Sequence, residues 1–403
     1  MDNESKISRR DLLVTGGAST AGLILVAATP SHALATPVAE PATMQEEVSV
    51  TDSPTEAASA LPGAIPSRGQ AVDQLALHVG VELVPLVDTC QHGEVPDRLE
   101  SARRLILRDL GFLTPMIMIS DNVRLQPNEY DILLNGASVG TGNLFMGRLL
   151  AMNPGNVREP IDGHRCKDPA YGMPGLWIKE DFRQEATYRG YTVVNTATVI
   201  VTHFSKLIVE HAHELLQWSD LERMMADLRE FHPRIVQEVH EYVPFADLVQ
   251  VFRNLLEERV SIADRLSIVN AIVQKCRVTR NAETLTRYAR QALRRSIIAK
   301  YCHPAFELSV IKLSKHYEEL VESGISCTED GGTVLDLDPS LAAAIITDIG
   351  KAITYFTEQP VLLCGWRIRY GLSRLIRQFV PELAVIAFSE VPAEITTKTL
   401  AEV

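Results

Sequence analysis

The chain has 403 residues, 46% of them apolar and 22% charged, with a formal net charge of −12. This length and apolar share support an ample core in two or more domains, or one domain of several parts. The acidic balance argues against non-specific nucleic-acid binding, so no nucleic-acid partner is expected.

The first element is "SRRDLLVTGGASTAGLILVAATPSHALA", residues 8–35. Lys6, Arg9 and Arg10 form a positive head, Leu12 to Thr29 carries no charge, and Ala33-Leu34-Ala35 fits the small-x-small pattern of a signal-peptidase site. Ser8-Arg9-Arg10-Asp11-Leu12-Leu13 resembles the twin-arginine type, whose clients are usually exported folded. A single-span anchor, or an upstream stretch left by a misplaced gene start, are the alternatives. Thr36 to Ala71 has no aromatic residue and holds Glu40, Glu46, Glu47, Asp52 and Glu56 against Arg68 alone. Such a segment buries too little surface to offset its ordering entropy, so residues 36–72 are expected to be a disordered acidic linker. No later stretch reaches the ~18 uncharged apolar residues of a membrane helix. The six cysteines show neither Cys-x-x-Cys nor zinc-type spacing with histidine, and reduced thiols are expected.

From Asp73 the pattern is that of a folded unit. "DQLALHVGVELVPLVD" (73–88) predicts a strand and a turn; "VPDRLESARRLILRDLGF" (95–112) predicts a helix with Leu99, Ala102, Ile106 and Leu110 on one face and Gly111 as its stop. "TPMIMIS" (114–120) and "EYDILLNG" (129–136) read as strands of a small α/β unit with antiparallel pairing. Residues 147–178 are loop-rich, followed by a helical pattern and the strand "GYTVVN" (190–195). A helix from about Thr198 places Ile200, Phe204, Leu207, Ile208, His211 and Leu215 on one face. Ser219 to about Ala299 is helical throughout, with breaks at His232-Pro233, Pro244 and Val260-Ser261. Residues 300–403 return to alternating strands and helices. The order predicts an α+β fold of several subdomains and excludes a doubly wound nucleotide fold.

Candidate chemistry is sparse. "VGTGN" (139–143) lacks a following helix signal and a phosphate-binding lysine, so a hairpin turn is favoured over a phosphate cradle. His211 and Glu214 are three apart in "HFSKLIVEHAHELL", which also holds His203, Glu210 and His213, but a third metal ligand at a matching position is missing; His211 is expected as a core histidine. Asp336 and Asp338 of "LDLDP" read as a solvated strand end rather than a cation site. Arg287, Arg290 and Arg294 align at helical spacing and are expected to form a solvated basic face, the alternative being a site for an acidic protein. Gly-x-Ser-x-Gly and any Ser-His-Asp set are absent.

"KDPAYGMPGLWI" (167–178), "GYTVVNTATVIVTHFSKLIVEHAHELL" (190–216), "FRNLLEERVSIADRLSIVNAI" (252–272), "LTRYARQALRRSII" (285–298) and "PVLLCGWRIRYGLSRLIRQFVPELAVIAFSEV" (360–391) resemble the FHIPEP family. This is the large export-gate component of flagellar and type III secretion systems. The resemblance covers the family's cytoplasmic domain over roughly residues 73–397 and looks closer to the flagellar branch. It implies a first α/β subdomain (73–146 with 196–215), an insert (147–195), a helical subdomain (216–299) and a C-terminal α/β subdomain (300–397). It further implies a non-enzymatic protein without cofactor or metal, assembled as a ring beside other export-apparatus proteins at the inner membrane. Export substrates and their chaperones would dock in an apolar dimple lined by Asp168, Tyr171 and Thr202, with Val194 as a wall. Two departures are visible: Tyr171 stands where the family usually has Phe, and Ala263 where it usually has Arg. The family's multi-span membrane region would stand where this chain has its signal-like segment. An exported enzyme or cofactor protein is the rival from a different class, and a degenerate paralogue is a third.

Overall fold

The computed structural model describes residues 73–403 apart from 156, 158, 303–305, 328–331, 355 and 357–358. The signal-like segment 1–35 and the linker 36–72 lie outside the described residues.

Four strands, β1 (Leu75–Val79), β2 (Met118–Asp121), β3 (Glu129–Leu134) and β4 (Ala137–Asn143), form a sheet in the order β2-β1-β3-β4. Helix α1 (Val95–Leu110) connects β1 to β2, and such a crossover lets the two run parallel; only β1–β3 and β3–β4 are antiparallel as expected. β2 starts later than the pattern suggests because Pro115 has no N–H to give a ladder. The β3–β4 turn is Asn135-Gly136, both with left-handed φ (49° and 80°), the chemistry of a two-residue hairpin. "VGTGN" therefore lies inside β4 rather than at a turn. Gly142 pairs with Tyr130, and a Cβ there would fall 2.6 Å from the tyrosine ring. The glycines make room for an aromatic ring and a helix.

The stretch 147–178, expected as loop, holds three strands of four to six residues. β5 (Arg148–Met152), β6 (His164–Lys167) and β7 (Pro174–Lys179) join β8 (Thr192–Asn195) in an antiparallel sheet ordered β6-β7-β5-β8. Strands this short give too few alternations to be read from the chain.

α2 (Thr196–Glu210) begins directly at the end of β8. Asn195 caps it by accepting the Thr198 N–H at 2.9 Å. Arg98 of α1 donates to the Thr198 hydroxyl at 2.7 Å and fixes the two helices together. The helical block follows: α3 (Trp218–Phe231), α4 (Pro233–Tyr242), α5 (Phe245–Glu257), α6 (Arg265–Cys276), α7 (Ala282–Ala292) and a short helix Arg294–Ala299. Its breaks fall where the prolines and the Val260-Ser261 stretch put them. Then come β9 (Glu307–Lys312), α8 (Lys315–Ser323), the hairpin β10 (Ile325–Cys327) and β11 (Thr333–Leu335), α9 (Pro339–Ile353), β12 (Val361–Cys364), α10 (Arg369–Arg377), β13 (Ala384–Ala387) and β14 (Thr396–Glu402). The third sheet, β13-β12-β9-β14, is all parallel. Its strands are buried on both faces: Val361 and Leu363 join the main core, while Leu362 and Cys364 face a second core under α9 and α10. Asp338 caps α9, accepting the Ser340 N–H at 2.8 Å, which answers the Asp336/Asp338 question: the motif starts a helix.

The arginine face of α7 is not uniformly solvated, because α10 and the turn after β13 cover one side of it. Arg290 is buried at 3% exposure. Its guanidinium grips Glu390 at 2.6 and 2.9 Å and Glu258 at 2.5 Å. Arg369 holds the same Glu258 at 2.9 Å, and the Ala387 N–H adds a third donor to Glu390. Two arginines and two glutamates thus form a neutral, buried network linking α5, α7, α10 and the residues after β13. Arg287 stays near the surface over Trp366, 4.4 Å from the ring centre.

Candidate functional site

Asp168 and Tyr171 occupy the turn between β6 and β7. The turn closes through Gly172 N–H to the Asp168 carbonyl and Asp168 N–H to the Met173 carbonyl, both 2.8 Å. Gly172 takes φ 68°, a conformation that favours glycine. The Asp168 carboxylate accepts the Tyr171 N–H at 2.7 Å, so its charge organises the turn from within. Asp168 is only 4% exposed, whereas Tyr171 is 42% exposed at the turn's tip. Burial raises the Asp168 pKa, against the opposing pull of the Tyr171 and Ala170 N–H groups and Lys206.

Helix α2 meets this turn from the other side. Lys206 donates to the Ala170 carbonyl at 2.6 Å, and its ammonium lies 5.0 Å from the centre of the Tyr171 ring. Thr202 stands one helical turn before Lys206, hence on the same face; it is half-buried, and its hydroxyl has no partner among the described residues. Val194, on β8 opposite Leu150, is half-buried and packs on the main core. Asp168 and Tyr171 thus meet Lys206 at this turn, Thr202 lies one helical turn away on the same face of α2, and Val194 sits at the strand end that launches α2. Lys206 escaped the sequence reading, although its i+4 spacing from Thr202 was visible.

Behind the exposed face lies a second polar pair that sequence reasoning also missed. His203 is 5% exposed and its Nδ1 is 2.8 Å from the Tyr130 hydroxyl. Burial, aided by Lys206, lowers the His203 pKa to about 4, so the ring is neutral at physiological pH. The expected core histidine, His211, is instead half-buried and bonded to Glu214 at 2.7 Å. Among the described residues no group of histidine, cysteine and carboxylate side chains could hold a metal ion.

The profile of the FHIPEP family matches residues 12–396. The chain belongs to the FHIPEP family. This FHIPEP chain is 32% identical over 333 residues to the flagellar biosynthesis protein FlhA of Bacillus subtilis strain 168, covering 82% of its own length and 49% of that protein. It spans about half the length of the curated FlhA relatives it matches. Two solved structures share its fold. The Chlamydia pneumoniae CdsV protein superposes with a TM-score of 0.73 at 24% identity, over 84% of this chain and 99% of that one. The nonameric EPEC SctV-C gives 0.68 at 20%, over 83% and 99%. The export-gate resemblance read from the motifs is therefore correct, and so is the mixed α+β class of several sheets. The family match begins at Leu12, inside the segment read as a signal.

Proposed function

We propose that this FHIPEP chain is a non-enzymatic docking station of a protein-export apparatus, receiving export substrates or their complexes with chaperones. The reading places the docking surface on the β6–β7 turn and the facing side of α2. The observation that carries it is the half-exposed Tyr171 ring, held on a turn that Asp168 and Lys206 keep rigid. A partner's apolar side chain laid on that ring gains ~1.5–3 kcal/mol, and the unpartnered Thr202 hydroxyl adds about 0.5–1.5 kcal/mol by orienting it. Asp168 contributes by shaping the turn, Val194 by supporting the floor. Such contacts are individually weak, and a closed ring of copies would raise avidity by effective concentration. The nonameric state of EPEC SctV-C supports a ring for this chain, with other export-apparatus proteins as neighbours. The cytoplasmic face of the inner membrane is the place the family role implies. Among the described residues no helix is long and apolar enough to cross a membrane.

The test is binding of the full chain to a flagellar chaperone–substrate pair by titration calorimetry. Micromolar affinity is expected, weakened about 10-fold or more by Tyr171→Ala and several-fold by Thr202→Ala. Absence of binding, or equal affinity in both variants, overturns the reading.

A further inference from the structure

α10 carries Arg369, Ser373 and Arg377 at four-residue spacing, which sets all three on one face of the helix. Arg369 is committed to Glu258 in the buried network of charges. Beyond it, Ser373 and Arg377 line a cavity of about 100 Å³ where the helical block meets the third sheet. Arg290 and Glu258 border this cavity but are balanced within their own network. The other charged walls are Arg259, Lys300 and Arg377 with Glu382, and further carboxylates stand just outside the lining, Glu210 at 3.6 Å from Arg259 and Glu257 at 3.6 Å from Arg377.

The polar groups here are rich in unused donors. Arg377 is ion-paired with Glu257 at 3.6 Å, a separation that leaves its N–H groups without a hydrogen-bond acceptor among the described residues. Burial pulls its pKa down, with Glu258 and Glu257 opposing. Lys300 spends one N–H on the Arg259 carbonyl at 2.9 Å and keeps the others. The hydroxyls of Tyr301 and Ser373 have no hydrogen-bond partner among the described residues, and Ser373 is 8% exposed. The one carboxylate, Glu382, is already held by Arg259 at 3.3 Å.

We propose that this cavity binds a small oxyanion of the size of inorganic phosphate. Several unused donors on cationic and hydroxyl side chains call for a ligand with several acceptor oxygens, and a planar guanidinium engages two of them at once. The volume holds about three waters, or one tetrahedral anion in their place. Chloride would meet the charge but not the fork. Its walls belong to α10, the end of α5, the stretch 296–301 and the residues leading into β13, and two of the wall residues, Arg259 and Glu382, lie near enough to Tyr171 for their charges to act on it. An anion there bridges the helical block to the C-terminal sheet.

The test is the thermal midpoint of the full chain titrated with phosphate at constant ionic strength, chloride making up the balance. A saturable rise of about 2–3 °C at 20 mM phosphate is expected for millimolar affinity. The double variant Lys300→Gln/Arg377→Gln should lose the rise, and Tyr301→Phe, which keeps the packing, should weaken phosphate about tenfold in calorimetry. Succinate matching phosphate would mark the natural occupant as a carboxylate and supports the same oxyanion site. Phosphate acting no better than chloride, or equally on wild type, the double variant and Tyr301→Phe, overturns the proposal.

Discussion

Arg290 offers the sharpest test of how the helical block is joined to the C-terminal sheet. Replacing it with Ala removes three hydrogen bonds of 2.5 to 2.9 Å at once. Glu258 keeps Arg369, but Glu390 retains only the Ala387 N–H at 3.0 Å. A carboxylate buried to 2% exposure is then left with Arg369 as its nearby counter-charge and no arginine hydrogen-bonded to it. Breaking a buried pair from one side costs about 3–5 kcal/mol, most of it the stranded charge. In the wild type, burial pushes the Glu390 pKa up, yet Arg290 outweighs it and the net shift is downward from 4.5. The pair's stability is therefore present above pH 4.5 and lost as pH falls through the lowered value. In Arg290→Ala burial is opposed only by Arg369 and the Ala387 N–H, so the Glu390 pKa rises relative to the wild type and the variant's loss of stability grows as pH rises. Urea unfolding followed by tryptophan fluorescence at pH 5 and pH 8 measures both effects. The destabilisation should be larger at pH 8, and adding Glu390→Gln should recover part of it. A loss under 1 kcal/mol, unchanged between the two pH values, would refute the reasoning.

Other outcomes follow from single contacts. The folded His203 pKa of about 4 lies below its ordinary 6.5. Its contribution is thus full above pH 6.5 and falls by roughly 3 kcal/mol towards pH 4, a slope that His203→Gln should flatten in urea midpoints. Lys206→Met keeps the length of the side chain but removes its bond to the Ala170 carbonyl; faster amide exchange at Tyr171 and Gly172 is expected, with little change in global stability. Gly142→Val forces atoms into the Tyr130 ring and should cost about 1–3 kcal/mol, measured by thermal unfolding. Asp338→Ala removes the α9 cap and should cost about 1 kcal/mol in the same assay.

What was legible in the chain is what repeats locally. The helices of the central block announce themselves because apolar residues recur every third or fourth position and prolines stand at the breaks. The short strands 148–152, 164–167 and 174–179 do not, since four to six residues flanked by Gly and Pro carry too little alternation. Arg290 shows the opposite failure. Its spacing with Arg287 and Arg294 is helical and looks like one solvated stripe, but its partners Glu258 and Glu390 are 32 and 100 residues away. Nothing within one turn of a helix records which face a distant sheet will cover.

The same distinction governs the docking surface proposed above. Motif resemblance brought Asp168, Tyr171 and Thr202 together, yet it could not assign their orientations, and these divide the labour differently from a simple lining. The Asp168 carboxylate turns inward to the Tyr171 N–H, and only the ring faces solvent. A surface that presented a bare carboxylate would select partners by charge; one that buries the carboxylate and offers an aromatic face selects by shape and apolar area. On the proposed docking role, a platform that asks for an apolar side chain and one hydrogen bond would accept partners of differing sequence. Lys206 is what keeps that platform still: with its ammonium on the Ala170 carbonyl and beside the ring, Tyr171 needs little ordering when a partner arrives.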